Sequence, residues 1–305
     1  MSRAVAVIDV GTNSTNLLVV AADGTDLARH VASTRLGEGL GAGATLAADA
    51  ITRTVEAVAA HAATASSLGV DSVTVTGTAA CRRASNTADL SAAITSATGL
   101  HLEVLPEGDE ARLSFDGALR GLAHDDVPTL VIDIGGGSTE YVVGVREAER
   151  WASIPFGTVT STESHFSSDP PRPEDLSNLI GAVSDELEEL TRTMPALAQP
   201  GRVVGVAGTI VTVAAVELGL AAFDDGALHG MELTRDAAED VFRTLATEAP
   251  RERAMNPGLP ASRVDIIVAG CCILVATMRR LRLDAVTVST RSLLDGVALR
   301  ERRGA

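Results

Sequence analysis

The sequence predicts an α/β protein of two similar halves, each a mixed central sheet flanked by helices. Three observations predict it. The stretch Val7-Ile8-Asp9-Val10-Gly11-Thr12-Asn13-Ser14-Thr15 returns as Val131-Ile132-Asp133-Ile134-Gly135-Gly136-Gly137-Ser138-Thr139. The two copies are too far apart for a solenoid, so they indicate a duplicated domain. Apolar runs of strand length alternate with longer segments of helical pattern, the signature of layered α/β folds with mostly parallel central pairing. Hydrophobic residues make up 46% of the 305 residues but aromatics only 2%, so the core must be built from Ala, Val, Leu and Ile.

The elements follow in order. After the first copy come a strand at 17–20, a turn at Asp23-Gly24 and a second strand near 27–34. After the second copy come strands at 141–145 and 151–154 around a polar turn. An Ala-rich helix is predicted over 46–68, with Thr45 as N-cap and Gly69 as its stop. The first half continues with a strand at 72–76, a helix at 88–97, a strand at 101–105 and a helix at 109–119. In the second half a helix over 173–197 opens with Pro and then Glu-Asp, a favourable start. A strand at 203–206 and a helix at 209–218 follow. Further helices are predicted near 235–248 and 263–281, then a strand at 285–289 and a terminal helix from about Ser292. The boundary is expected in the polar stretch 123–128, giving domains 1–125 and 126–305, with the terminal helix able to pack back on the first.

Composition excludes several chemistries. All 25 basic residues are Arg and none is Lys, so there is no Schiff-base lysine, no Gly-Lys phosphate loop of the Walker type and no kinase lysine. The absence also fits a GC-rich codon bias, because surface Lys and Arg interchange freely away from bidentate or stacked sites. A net charge of -15 argues against general nucleic-acid binding, which needs a broad basic face. It leaves open a polyanion held in a local Arg-lined site. The N-terminal apolar run meets Asp9 at once, unlike a signal peptide. The most apolar stretch, 264–278, is too short and too polar to span a bilayer. Cys81, Cys271 and Cys272 form neither a disulfide framework nor a metal spacing. A reduced, cytoplasmic protein is expected.

The repeated motif carries the chemistry. An apolar strand delivers Asp9 or Asp133, and the tight turn after it exposes backbone N–H groups beside Ser and Thr hydroxyls, a nest suited to phosphate oxygens. Gly135, Gly136 and Gly137 remove the Cβ atoms that would block close approach. The aspartates would repel phosphate directly and are better suited to Mg²⁺ (or Mn²⁺), which takes one or two carboxylates with phosphate oxygens and water. A third glycine turn, Gly205-Val206-Ala207-Gly208-Thr209, opens a helix whose N–H groups and dipole favour an anion, although such helix entries are also common without one.

These residues resemble the actin/hexokinase/Hsp70 superfamily. Asp133-Ile134-Gly135-Gly136-Gly137-Ser138-Thr139-Glu140 looks like the signature of the exopolyphosphatase/guanosine pentaphosphate phosphohydrolase (Ppx/GppA) family. Gly77-Thr78 with Arg82, Ala84 and Asn86 resembles another of its elements, as do Gly108-Asp109-Glu110-Ala111-Arg112-Leu113 and the set Pro155, Gly157, Val159 and Glu163. Gly208-Thr209, His229-Gly230 and Arg263-x-Asp265 with Gly270 continue the likeness. The resemblance implies two duplicated actin-like (ribonuclease H-like) domains, an interdomain cleft, and the short two-domain form of the family. It implies hydrolysis of a terminal phosphate, with polyphosphate preferred over pppGpp because few aromatics are available to stack a base. Glu110 is then the base for the attacking water and Arg82 the phosphate-binding arginine. Gly11, Thr12, Asn13, Ser14, Gly135, Gly136, Gly137, Ser138, Gly208 and Thr209 bind phosphate, and Asp133, Glu140 and Asp9 hold the metal. Glu140 stands seven residues beyond Asp133, so its reach depends on the chain folding back. Dimerisation follows family habit, and no nucleic-acid or membrane partner is expected.

The chain departs from the family at the end. Thr12 stands where Ser is usual, and Ser292, Leu294 and Asp295 stand where Gly, Arg and Glu are usual. That puts a phosphate contact there in question unless Arg291 supplies it. A small-molecule kinase on the same fold and a phosphate-binding sensor without turnover are the competing readings. The pair of Glu110 and Arg82 argues against the second. Asp109 and Arg83 are the weaker neighbours of these two, and each has an ordinary surface role available. His124-Asp125 reads as a surface turn, His229 as local turn structure, and Cys271-Cys272 as core. The clusters Arg279-Arg280-x-Arg282 and Arg300-x-Arg302-Arg303 read either as helix-end charge complements or as a guide for a long polyanion.

Overall fold

The structure, a computed structural model, describes residues 3–123 and 126–303. The His124-Asp125 pair lies outside the described residues. The chain forms two compact units, one running up to Gly117 and joined by the segment from Leu293, the other Ala118–Ser292. The division falls ahead of the expected 123–128 stretch. The reason lies in the chain just after it: Gly121 packs on His229, and the Ala123 carbonyl accepts from Arg202 Nη1 at 2.6 Å, both within the second unit.

The first unit contains β1 (Val5–Val10), β2 (Ser14–Val20), β3 (Asp26–Ser33), α1 (Leu40–Gly43), α2 (Ala48–Ser67), β4 (Ser72–Gly77), α3 (Ala79–Arg83), α4 (Thr87–Thr98), β5 (Leu102–Val104) and most of α5 (Glu107–Ala118). Its sheet order is β3-β2-β1-β4-β5, antiparallel on one side of β1 and parallel on the other. Strand β1 is buried along its length, and its side chains alternate between two cores. Ala6, Ile8 and Val10 enter one with Leu17 and Val19, while Val5 and Val7 enter the other with Leu18 and Val20. Period-two alternation therefore puts Asp9 at the carboxyl end of the Val5–Val7 row.

The second unit repeats the plan with β6 (Thr129–Ile134), β7 (Thr139–Gly144), β8 (Ala148–Ile154), α6 (Thr158–His165), α7 (Pro173–Thr193), β9 (Arg202–Val206), α8 (Ala207–Glu217), α9 (Asp225–Leu228), β10 (Glu232–Thr234), α10 (Arg235–Thr247), α11 (Pro250–Arg253), α12 (Ile267–Arg280) and β11 (Ala285–Val288). Its sheet order is β10-β11-β9-β6-β7-β8. The duplication reaches fine detail. Gly11 N donates to Ser14 O and Gly135 N to Ser138 O, both at 3.0 Å. The register slips at Val19/Val20 in one hairpin and at Val143/Gly144 in the other. Cys271 and Cys272 lie in the core with α12, where burial pushes the Cys271 thiol up to about 12 and Cys272 well above its usual value.

The last helix, α13 (Leu293–Arg303), belongs to the first unit and buries Leu293, Leu294, Val297 and Ala298 against β1 and β2. A Cβ at Gly296 would overlap the Leu113 backbone, so only glycine lets α13 cross α5 this closely. Asp295, fully buried, receives both Arg29 nitrogens at 2.7 and 3.1 Å.

Two local expectations are corrected. Thr45 does not cap α2. Its hydroxyl meets Ser85 Oγ at 3.3 Å, and Asn86 clasps Leu46 through both N–H and C=O, so the helix starts at Ala48. The helix expected over 263–281 is broken. A 3₁₀ turn covers Ala261–Arg263 and α12 begins at Ile267, because the Val264 carbonyl accepts from the Arg253 Nη1 donor at 2.8 Å. No helix among the described residues is long and apolar enough to cross a membrane.

Candidate active site

In the second unit the phosphate loop is braced from behind. Thr158 N donates to Gly135 O at 2.9 Å, and Val159 N and Thr160 N donate to Gly136 O. The two ends of a trans peptide point opposite ways. Carbonyls drawn toward α6 therefore turn the N–H groups of Gly136 and Gly137 away from it, which makes the nest. A Cβ at Gly157 would overlap Gly136 and Gly137, so this glycine lets the helix approach. The first loop is braced in the same manner by another partner. Thr12 O accepts from Gly37 N at 2.9 Å, and Asn13 O accepts from Thr34 N and Arg35 N. The methyl of Thr12 packs on Gly37. Asn13 is 8% exposed, and its Oδ1 is buried without a hydrogen-bond partner. An orphaned acceptor beside a nest is the kind of group a cation or a water donor completes.

Asp133 and Glu140 stand directly opposite each other across β6 and β7. Cross-strand neighbours share a face at roughly 5 Å between Cβ atoms, so the seven-residue separation is closed by the hairpin itself. Glu140 is 3% exposed and accepts from Ser153 Oγ at 3.0 Å. In the first hairpin the matching pair is Asp9 and Asn16, and Asp9 accepts from Thr76 Oγ1 at 3.1 Å. Among the described residues no three His, Cys, Asp or Glu side chains form a ready metal cluster. A carboxylate pair beside a phosphate nest suits Mg²⁺, which keeps several waters and shares phosphate oxygens.

The third glycine turn sits next to the second. Thr209 Oγ1 donates to Ile134 O at 3.2 Å and is buried, so this hydroxyl supports the loop and only the backbone of the turn is left to face an anion. Ala207 opens α8 with φ +65°, a conformation that costs a residue with a Cβ roughly 1–2 kcal/mol. Gly270 of α12 nests against the Thr209 and Thr158 methyls, locking the two turns to one helix. The guanidinium of Arg263 lies on Gly208, close enough that a Cβ there would overlap it. Burial pulls Arg263 down to about 10, and no carboxylate answers it among the described residues. A half-buried guanidinium at a helix N-terminus is well placed to meet an anion. Sequence reasoning used Arg263 only as part of a likeness. The absence of an acidic neighbour in its segment other than Asp265 was the available signal.

In the first unit Arg82 and Glu110 are brought together. Arg82 Nη1 bonds the Glu110 carboxylate and also the Leu105 carbonyl at 2.9 Å. The short helix α3 begins right after β4 and carries Arg82, and α5 presents Glu110 in its first turn. Both side chains are largely shielded, while Asp109 pairs with Arg112 at the surface and Arg83 is exposed. Beside them, burial and the Asp9 charge push the Cys81 thiol up to about 12, so it is no nucleophile.

The C-terminal arginines do not assemble into a site. Leu294 fills core where the family carries Arg, and the Arg291 fork is committed to Asp225 at 2.7 and 2.9 Å. Burial works to raise the Asp225 carboxyl, but Thr290 and Arg291 outweigh it and hold it below the usual range. Arg279 pairs with Glu239, Arg280 with Glu188, and Arg300 with Glu103 and Glu301, so these three arginines complement local acids.

This geometry is shared with known proteins. The chain is 34% identical to exopolyphosphatase 2 of Mycobacterium tuberculosis over 97% of both chains. It is 28% identical to the guanosine-5'-triphosphate,3'-diphosphate pyrophosphatase of Vibrio cholerae over 97% of this chain and 60% of that one. An exopolyphosphatase-like protein of known crystal structure superposes with a TM-score of 0.93 at 28% identity, covering 99% of each chain. With the profile of the Ppx/GppA phosphatase family matching residues 17–303, and with the duplicated actin-like fold, the chain belongs to the Ppx/GppA phosphatase family.

Proposed function

We propose that the protein is an exopolyphosphatase that removes the terminal phosphate of inorganic polyphosphate as orthophosphate. The observation that carries the reading is the cluster in the second unit: two braced anion turns, an opposed carboxylate pair and a guanidinium without a carboxylate partner. Such a set recognises phosphate by charge and backbone donors and needs no base or sugar pocket.

The roles follow from chemistry. Phosphoryl transfer asks for positioning and charge neutralisation more than covalent help. Gly135, Gly136, Gly137 and Ser138 cradle phosphate oxygens, and the backbone at Gly208 and Thr209 with Arg263 holds a neighbouring phosphate. Gly11, Thr12, Asn13 and Ser14 do the same in the first unit. Asp133 and Glu140 would hold Mg²⁺ or Mn²⁺, which would offset negative charge on the phosphates, and Asp9 offers a carboxylate in the first unit. Glu110 accepts the proton of the attacking water. Arg82 pairs with Glu110 before substrate arrives and steadies the oxygens of the transferring group. A cytoplasmic homodimer is part of the same reading.

The competing reading is pppGpp 5′-phosphohydrolysis, favoured by the similarity to the Vibrio cholerae enzyme. Phosphate release from polyphosphates of defined length, pppGpp and ATP, each with and without Mg²⁺, tests both. Metal-dependent release from polyphosphate well above that from pppGpp is expected. Preference for pppGpp overturns the reading, and turnover of ATP alone returns the kinase alternative.

A further inference from the structure

Arg253 is the largest fully buried side chain of the molecule, at 0% exposure. All five of its donors are used. Nε bonds Leu245 O at 2.8 Å, Nη1 bonds Val264 O at 2.8 Å and Asp169 Oδ2 at 3.3 Å, and Nη2 bonds Asp169 Oδ1 at 2.7 Å and Glu248 O at 2.9 Å. One guanidinium therefore joins the end of α10, the loop before α7 and the backbone one residue past Arg263. A cavity of about 300 Å³ separates the 162–171 segment from Asp265 and Val268. The Arg253–Asp169 pair spans that gap. The residue so anchored is followed back immediately to Arg263, whose guanidinium covers Gly208 at the start of α8.

We propose that Arg253, held by Asp169, is a positioning residue that fixes the backbone of Arg263 and so aims its guanidinium at the phosphate turn of α8. The kinetic part rests on the reading of Arg263 as a phosphate ligand. The geometry explains why a fully buried cation is kept here. A hydrophobic replacement of similar volume would fill the space, yet it would release the Val264 carbonyl to a continuous helix, and Arg263 would turn with that helix away from Gly208. Desolvated ion pairs are poor sources of stability and good devices for fixing a unique arrangement.

The test uses the full chain with Asp169→Asn, Arg253→Lys, Arg263→Ala and the double variant Asp169→Asn/Arg263→Ala. Steady-state hydrolysis of tripolyphosphate is measured beside thermal unfolding and beside phenylglyoxal labelling of Arg263 followed by peptide mapping. Asp169→Asn is expected to raise KM about tenfold with kcat changed less than about threefold, and to add nothing when Arg263 is already Ala. It is expected to speed labelling of Arg263 several-fold, because the side chain leaves its seat. Arg253→Lys, which retains charge but loses donors, should act in the same direction and more strongly. Should that variant fail to fold, the partly exposed Asp169 still provides the readout. Equal kinetic penalties of Asp169→Asn with and without Arg263, or unchanged labelling, overturn the proposal. If Arg263→Ala leaves KM intact while labelling still accelerates, the latch stands and the phosphate role of Arg263 falls.

Discussion

The two hairpins repeat one another in register and differ in charge at one paired position. Asp9 faces Asn16, and Asp133 faces Glu140, at the same register in β1–β2 and β6–β7. The Gly N to Ser O bond of the turn and the strand slip are present in both. What differs is charge, and it differs where a metal would ask for it. The first unit has instead the Arg82–Glu110 pair on α3 and α5. In the second unit the corresponding helix after the sheet, α8, brings a strained Ala207 and receives Arg263. The comparison teaches that duplicating a fold duplicates its turns at once, while single side chains afterwards change the charge each copy carries.

The comparison can be broken most severely at Glu110. Glu110→Gln is expected to lower kcat by about a thousandfold or more, with tripolyphosphate binding by calorimetry little changed. Turnover within tenfold of the parent would remove Glu110 as base. Next in size is Glu140→Gln, which makes the second hairpin electrically like the first. Activity should fall roughly a hundredfold and the Mg²⁺ titration should shift to higher concentration. An unshifted titration would detach Glu140 from the metal.

Smaller effects sharpen the structural side. Ala207→Gly relieves the left-handed strain at α8 and should stabilise the second unit by about 1 kcal/mol in urea unfolding. A loss of stability would show that φ +65° is not carried in solution. The smallest effect is at His61, buried on α2 with Nε2 on the Thr15 carbonyl at 3.1 Å. Burial pulls its pKa down, against the pull of that carbonyl. The folded state thus prefers neutral His61. The contribution is complete above about pH 6.5 and is lost as pH falls through the lowered folded value. His61→Gln should flatten the acid side of a stability profile, and an unchanged slope would exclude His61 as the cause.

Much of this was legible in the chain because loops announce themselves. The V-I-D-x-G repeat marked two matching turns, and strand periodicity put the aspartates at strand ends. The Asp133–Glu140 pairing was hidden because register is fixed by the hairpin, not by spacing. Arg263 was hidden because an apolar run reads as unbroken helix, and only the distant Arg253 donor on Val264 breaks it. Asn86, part of a family-like element, proved to clasp Leu46, a long-range task no local pattern reveals. Thr209 was read for its backbone N–H, and the bond of its hydroxyl to the Ile134 carbonyl is a further long-range contact that no local pattern reveals.

The close crossing of α13 over α5 at Gly296 and Leu113 also sets an order of events during synthesis. The helix that carries Glu110 is translated early, but its buttress emerges only after residues 118–292 have been made. At cellular elongation rates that interval is on the order of ten seconds or more. The first unit therefore lacks its α13 contact until residues 293–303 have been made, by which time all of Ala118–Ser292 is already available to fold.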